Sequence, residues 1–212
     1  MYRKIKLLIT FLLMVSVQSA FSQTSFKDYF NEDTPLTYLG VDFTQAKVTG
    51  YTKPELEDMA ERHFSSINNL VLNEPDKYKL EKFFHKYEVK TDIDQVEEHN
   101  KKIDAGKLKA SGEPKELTQS DLEKLVKGYS FSGKKGMGVL LVMENMDKTE
   151  KAEKAVLHVV FIDMEKNKVL FSERYTTKPK GFGVRNYWAK TVYDVMDKIG
   201  DTDYKRWKKS NG

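Results

Sequence analysis

Three apolar runs in close succession, followed by one long amphipathic stretch, limit what this chain can fold into. Val139 to Met143, Ala155 to Ile162 and Val169 to Tyr175 read as β-strands, and Val184 to Ile199 reads as a helix. The first two runs are apolar on both faces, which suits strands in the interior of a sheet. The third sets Val169, Phe171 and Tyr175 against Ser172 and Arg174, which fits an outer position. The charged links Glu144 to Lys154 and Asp163 to Lys168 are turns, so the three runs make an antiparallel meander. Val184, Tyr187, Trp188, Val192, Val195, Met196 and Ile199 form the apolar stripe of the helix, and Gly200 marks its end.

Upstream, Thr37 to Val48 alternates, with Leu39, Val41 and Phe43 on one face and Gly40, Asp42 and Thr44 on the other. Thr52-Lys53-Pro54-Glu55 has the reciprocal cap of a helix start, and Leu56, Met59, His63, Phe64, Ile67, Leu70 and Val71 follow at helical spacing. His63 reads as a core-edge histidine with a protein partner. A short helix over Lys77 to Phe84, a half-wet strand over Tyr87 to Ile93 and a helical turn over Asp94 to Lys102 come next. Residues 103–117, with Gly106, Gly112 and Pro114, read as a mobile surface loop. A capped helix begins near Thr118 and ends at Gly128. The predicted fold is α+β: a two-layer sandwich of about five mostly antiparallel strands, helices mainly on one face, and a C-terminal three-strand meander plus helix.

Arg3, Lys4 and Lys6 precede an apolar run from Leu7 to Val17, which falls short of the ~20 residues a spanning helix needs. Ala20-Phe21-Ser22 then offers small residues at a cleavage site, so residues 1–22 read as a secretory signal peptide cut before Gln23. No Cys follows the apolar run, so no lipid attachment site of the bacterial lipoprotein kind is expected. Residues 23–212 read as a single domain, periplasmic or extracellular, with no stable membrane insertion after cleavage. The chain has no Cys at all, which excludes thiol catalysis and Cys-ligated metals. Its formal charge of +4 falls to +1 once Arg3, Lys4 and Lys6 leave, so composition makes no case for nucleic acid.

No catalytic, nucleotide or metal motif stands out, and no cofactor is implied. Asp92, Asp94, Glu97, Glu98 and His99 lack the glycine turn and closing Glu of a calcium loop. Gly133 to Gly138 leads into a strand, the wrong context for a phosphate loop. His158 is the polar residue in an otherwise apolar strand, and Asp42 on a neighbouring strand is its candidate partner. Those two are the only catalytic candidates, and a structural hydrogen-bonded pair is the better reading. Lys178, Lys180 and Arg185 at the start of the last helix can hold an anion, and Trp188 follows them, which makes these four the binding candidates.

Tyr38-Leu39-Gly40-Val41-Asp42-Phe43 and Lys180-Gly181-Phe182-Gly183-Val184-Arg185-Asn186-Tyr187-Trp188 resemble segments of a family of uncharacterised secreted or periplasmic proteins of Bacteroidetes-type bacteria. The meander and closing helix are also similar in pattern to small envelope domains, such as the amino-terminal domain of TolB and the curli-secretion lipoprotein class. Those domains bind partners or assist assembly, and this chain departs from the lipoproteins in lacking their Cys. The family brings no established activity; secretion, the missing catalytic signature and the architecture point to a non-catalytic binding or assembly module of the cell envelope with an envelope protein as partner. The alternatives are a hydrolase acting on envelope or extracellular polymers, and a small-ligand carrier with a cavity lined by Phe43, Tyr187 and Trp188.

Overall fold

The structure is a computed structural model, and it describes residues 24–110, 112, 114–131, 133–149 and 153–212. The proposed signal peptide lies outside the described residues. Six strands form one open sheet: β1 (Leu36–Asp42), β2 (Lys47–Thr49), β3 (Val89–Thr91), β4 (Met137–Asp147), β5 (Lys154–Asp163) and β6 (Lys168–Thr177). The order is β3-β1-β4-β5-β6, with β2 beside the far end of β4. β4, β5 and β6 are the antiparallel meander, with β4 and β5 inside and β6 at the edge. β1, β2 and β3 join in parallel, so the sheet is mixed.

Helices α1 (Lys53–Asp58) and α2 (Phe64–Asn73) run on through a π-helical turn at Met59–His63. They pack with α3 (Leu80–Phe84) and the C-terminal helices on one face of the sheet. There, Tyr38 and Val41 of β1, and Phe43 just after it, join Val139, Leu141 and Met143 of β4 and Leu157, Val159 and Phe161 of β5. The other face carries a smaller core of Leu39, Leu140, Val142, Val160 and Ile162. That core is covered by Val96 of α4 (Asp94–Asn100) and by Leu122 and Val126 of α6 (Gln119–Lys127). Helices therefore lie mainly on one face, as expected, but the second face is covered as well.

Gly40 (φ +96°) makes a bulge in β1, where the register against β4 shifts between Tyr38 and Val41. The extra residue splits the expected Leu39–Val41–Phe43 face: Leu39 goes to the second core, and Val41 and Phe43 go to the first. A Cβ at Gly40 would stand 3.1 Å from Asn68 Oδ1, so the position excludes a side chain twice over.

Two further expectations are corrected. The last helix does not stop at Gly200. α7 (Val184–Lys198) continues through a π-helical turn at Ile199–Asp203 into α8 (Tyr204–Asn211). Gly200 serves close packing instead, since a Cβ there would lie 3.2 Å from Phe83 Cα. The extension seats Trp207 in the core, where its indole donates to Glu173 at 2.7 Å. The first part of the expected loop at 103–117 is also built in. α5 (Ala105–Leu108) buries Leu108, and Lys109 bridges to Val48 of β2.

β1 is flanked by β3 only from Leu36 to Tyr38. Beyond that point, side-chain amides replace the missing strand. Asn68 Oδ1 accepts from Val41 N at 2.7 Å and Nδ2 donates to Val41 O at 3.0 Å. Asn100 accepts from Phe43 N and donates to Val41 O, both at 2.9 Å. A buried backbone N–H left without a partner costs about 1–3 kcal/mol. Asn68→Ala is expected to lower stability by about 2 kcal/mol and Tm by roughly 4–8 °C, read by urea and thermal unfolding. Wild-type stability in that variant would contradict the role given to the amide.

Candidate functional site

Asp42 and His158 share one row across the sheet, because Asp42 pairs with Val142 and Val142 pairs with His158. Val142 therefore stands between them, and each has a different partner. Asp42 is fully buried and accepts a 2.5 Å hydrogen bond from the Tyr129 hydroxyl and a 2.6 Å bond from Thr44 N. Burial, and then the Asp42 carboxylate, push the Tyr129 phenol far above its usual pKa, so it remains a donor. The His99 ring stacks on Tyr129 at 4.2 Å.

The carboxylate that meets His158 is Glu144. β4 extends to Asp147, well past the expected turn, and its register against β5 shifts between Met143 and Asn145. Glu144 sits in that bulge and joins His158 and Arg174 on the second face of the sheet. His158 Nε2 donates to Glu144 Oε2 at 2.7 Å. Arg174 forks onto the same carboxylate, with its shortest bond at 2.6 Å, and Leu117 N donates at 3.0 Å. Glu116 faces Arg174 from outside at 3.7 Å. Burial alone raises the Glu144 pKa. The bonds from His158, Arg174 and the Leu117 amide outweigh it and hold the carboxyl at about 2.

Glu144 and His158 are 2% and 4% exposed, so protein donors and burial together close this pair to a substrate. What the cluster does is fasten the segment before α6 to three strands at once. His63 likewise has a structural partner, with Nε2 3.0 Å from Asp58.

The acids read as a poor calcium loop are engaged separately: Glu97 with Asn68, Asp92 with Lys134 and Glu98 with Lys101. Among the described residues, no group of three or more His, Cys, Asp or Glu is placed to hold a metal ion. A surface cleft of about 360 Å³ opens beyond the carboxyl end of β1, lined by Thr44, His99, Lys102, Asp104 and Lys107 among others.

Of the four binding candidates, two stay together, Lys178 and Lys180, while Arg185 and Trp188 lie elsewhere. Trp188 is fully buried and donates from Nε1 to the Tyr51 hydroxyl at 3.0 Å, so it belongs to the core. Phe43 is also closed in, stacked flat on Phe64 at 4.2 Å. Lys178 and Lys180 are exposed on the segment between β6 and α7, and Arg185 is exposed in the first turn of α7, near Tyr78. With Glu153, Pro179, Gly181 and Tyr187, the two lysines border a cleft of about 550 Å³. Phe182, not singled out in the sequence, projects from the same segment at 95% exposure. The sequence signal was present: a large aromatic between two glycines inside a run of cations.

No protein-family model matches this chain, and no curated protein matches it. Among the described residues, no helix is long and apolar enough to cross a membrane.

The Glu144 carboxyl sets the sign of a pH effect. Its folded pKa lies below its unfolded value near 4.5, so the stabilisation is present above pH 4.5 and is lost as pH falls towards 2. The full shift corresponds to roughly 3 kcal/mol. Glu144→Gln is expected to be less stable at neutral pH and to lose stability less steeply than wild type over that acid window. Parallel acid limbs for the two proteins would contradict the assignment.

Proposed function

We propose that this chain is a non-catalytic binding or assembly module of the bacterial cell envelope, acting in the periplasm or outside the cell once residues 1–22 are removed. In this reading it is a relative of the secreted proteins whose motifs around Tyr38–Phe43 and Lys180–Trp188 it resembles. The observation that carries the proposal is Phe182, 95% exposed on a segment that also exposes Lys178 and Lys180. An aromatic side chain left in water forgoes about 1.5–3 kcal/mol of burial, which a bound partner can recover. Burial of His158 and Glu144, with donors that hold Glu144 ionised, supports a binding role over hydrolysis of a polymer. The closed packing of Phe43 and Trp188 supports a surface contact over an internal ligand.

The test places a photo-crosslinking phenylalanine analogue at position 182 of the full-length protein in its own cells. Tyr87, 74% exposed, receives the same analogue as a control surface site. The expected result is an envelope component captured at 182 and not at 87, from a protein whose amino terminus is Gln23. A protein kept inside the cell, or capture no greater at 182 than at 87, would remove the reading.

A further inference from the structure

Phe182 does not hang from a slack loop. Pro179 is buried and anchors the segment after β6. Gly181 (φ +137°) and Gly183 (φ +76°) adopt conformations that side chains disfavour. A Cβ on Gly181 would lie 3.2 Å from the backbone of Asn186 in α7. The loop is thus fitted against the first turn of α7, and it holds Phe182 outward between fixed points.

The segment that carries the ring is basic in sequence. Lys178, Lys180 and Arg185 are exposed within the same eight-residue segment. Lys148, from the β4–β5 turn, reaches over the rings of Tyr51 and Tyr187 at 5.0 and 5.9 Å. Acids answer part of this charge: Glu153 lies 3.8 Å from Lys178, Glu55 faces Lys148, and Asp147 lies near Tyr187. A protein-binding hot spot is an aromatic set in a packed patch that excludes water. Phe182 instead stands alone, with charged neighbours in solvent. A single projecting ring with two exposed lysines beside it in the chain matches the boundary of an anionic bilayer, where the ring enters the acyl edge and the lysines meet phosphates.

We propose that the loop from Lys178 to Gly183 is an interfacial anchor for an anionic phospholipid surface, with Phe182 as the inserted group and Lys178 and Lys180 as the phosphate contacts. This rests on the binding-module reading and names the partner of that same loop. The anchor is weak and reversible, since one ring and two lysines fall far short of a spanning helix.

The test uses the protein as the cell exports it, sedimented with vesicles of pure phosphatidylcholine or of an equimolar phosphatidylcholine–phosphatidylglycerol mixture. Binding to the mixed vesicles is expected to be tighter by about fivefold for each cation that reaches the surface, and to weaken with salt. Phe182→Ser should lower it about tenfold without changing the thermal unfolding curve. Phe182→Trp should show blue-shifted emission on mixed vesicles and not on phosphatidylcholine. Lys178→Glu with Lys180→Glu should abolish the preference for the anionic mixture.

Equal binding to both vesicle types, an unaffected Phe182→Ser variant, or an unshifted Phe182→Trp emission would overturn the proposal. If vesicles fail while position 182 still captures an envelope protein in cells, the lipid inference falls and the binding-module reading stands. If capture at 182 fails too, both fall.

Discussion

A strand in the middle of a sheet must have its backbone groups paired on both sides, and β1 lacks a strand partner for half its length. From Val41 to Phe43, the groups facing the β3 side are met by the amides of Asn68 in α2 and Asn100 in α4. Each amide presents a donor and an acceptor in a fixed plane, so it stands in for a short piece of strand. Because Asn68 also donates to Glu97 at 2.7 Å, the strand and both helices hang on one network. The bulge at Gly40 is part of the same solution. It brings the strand close to Asn68 and turns Leu39 and Asp42 towards the second face. A two-faced sheet with a core on each side follows from how this one edge is closed.

The meander and its closing helix were legible because their signals are local. β4 and β5 are apolar on both faces, β6 alternates, and the stripe from Val184 to Ile199 repeats at helical spacing. What escaped depends on an added residue or a distant neighbour. Alternation along 39–43 gave the wrong partners for Leu39, since a bulge shifts the period and one sequence does not announce it. Glu144 was hidden for the same reason. It looked like the start of a charged turn, whereas a bulged strand carries it to His158. Gly200 looked like a helix stop, yet its role is set by Phe83, far away in sequence. The parallel pairing of β1 with β3 and β4 is likewise fixed by crossovers rather than by the strands' own residues.

His158 shows how a correct residue can carry the wrong inference. A histidine in an apolar strand requires a partner, and a carboxylate is the natural one. That much followed from sequence, but which carboxylate depended on register. The found partner changes the chemistry. A Glu144 that accepts from His158, Arg174 and the Leu117 amide is poised to stay ionised, so it cannot deliver a proton near neutral pH. Asp42 is spent in the same way on Tyr129 and Thr44. Both clusters lie on the smaller, second core, and both tie in segments beside α6: Glu144 holds Leu117 before it, and Asp42 holds Tyr129 just after it. The polar groups of this face are consumed in attaching a helix to the sheet, which leaves function to be sought at the molecular surface.

At that surface the distribution of aromatic groups is uneven for a physical reason. Trp188 and Trp207, the largest apolar groups of the chain, are drawn fully into the core, where each indole N–H still finds an oxygen. Phe182 has no polar atom that would make exposure tolerable, and the helix that begins two residues later could have carried it inward. Two glycines at positive φ hold it out instead, at the end of the sheet where the β4–β5 turn adds Lys148. Folding energy alone gives no reason to keep that ring in water. A surface that is apolar beneath and negative above would relieve that cost and meet the exposed Lys178 and Lys180 beside it in the chain.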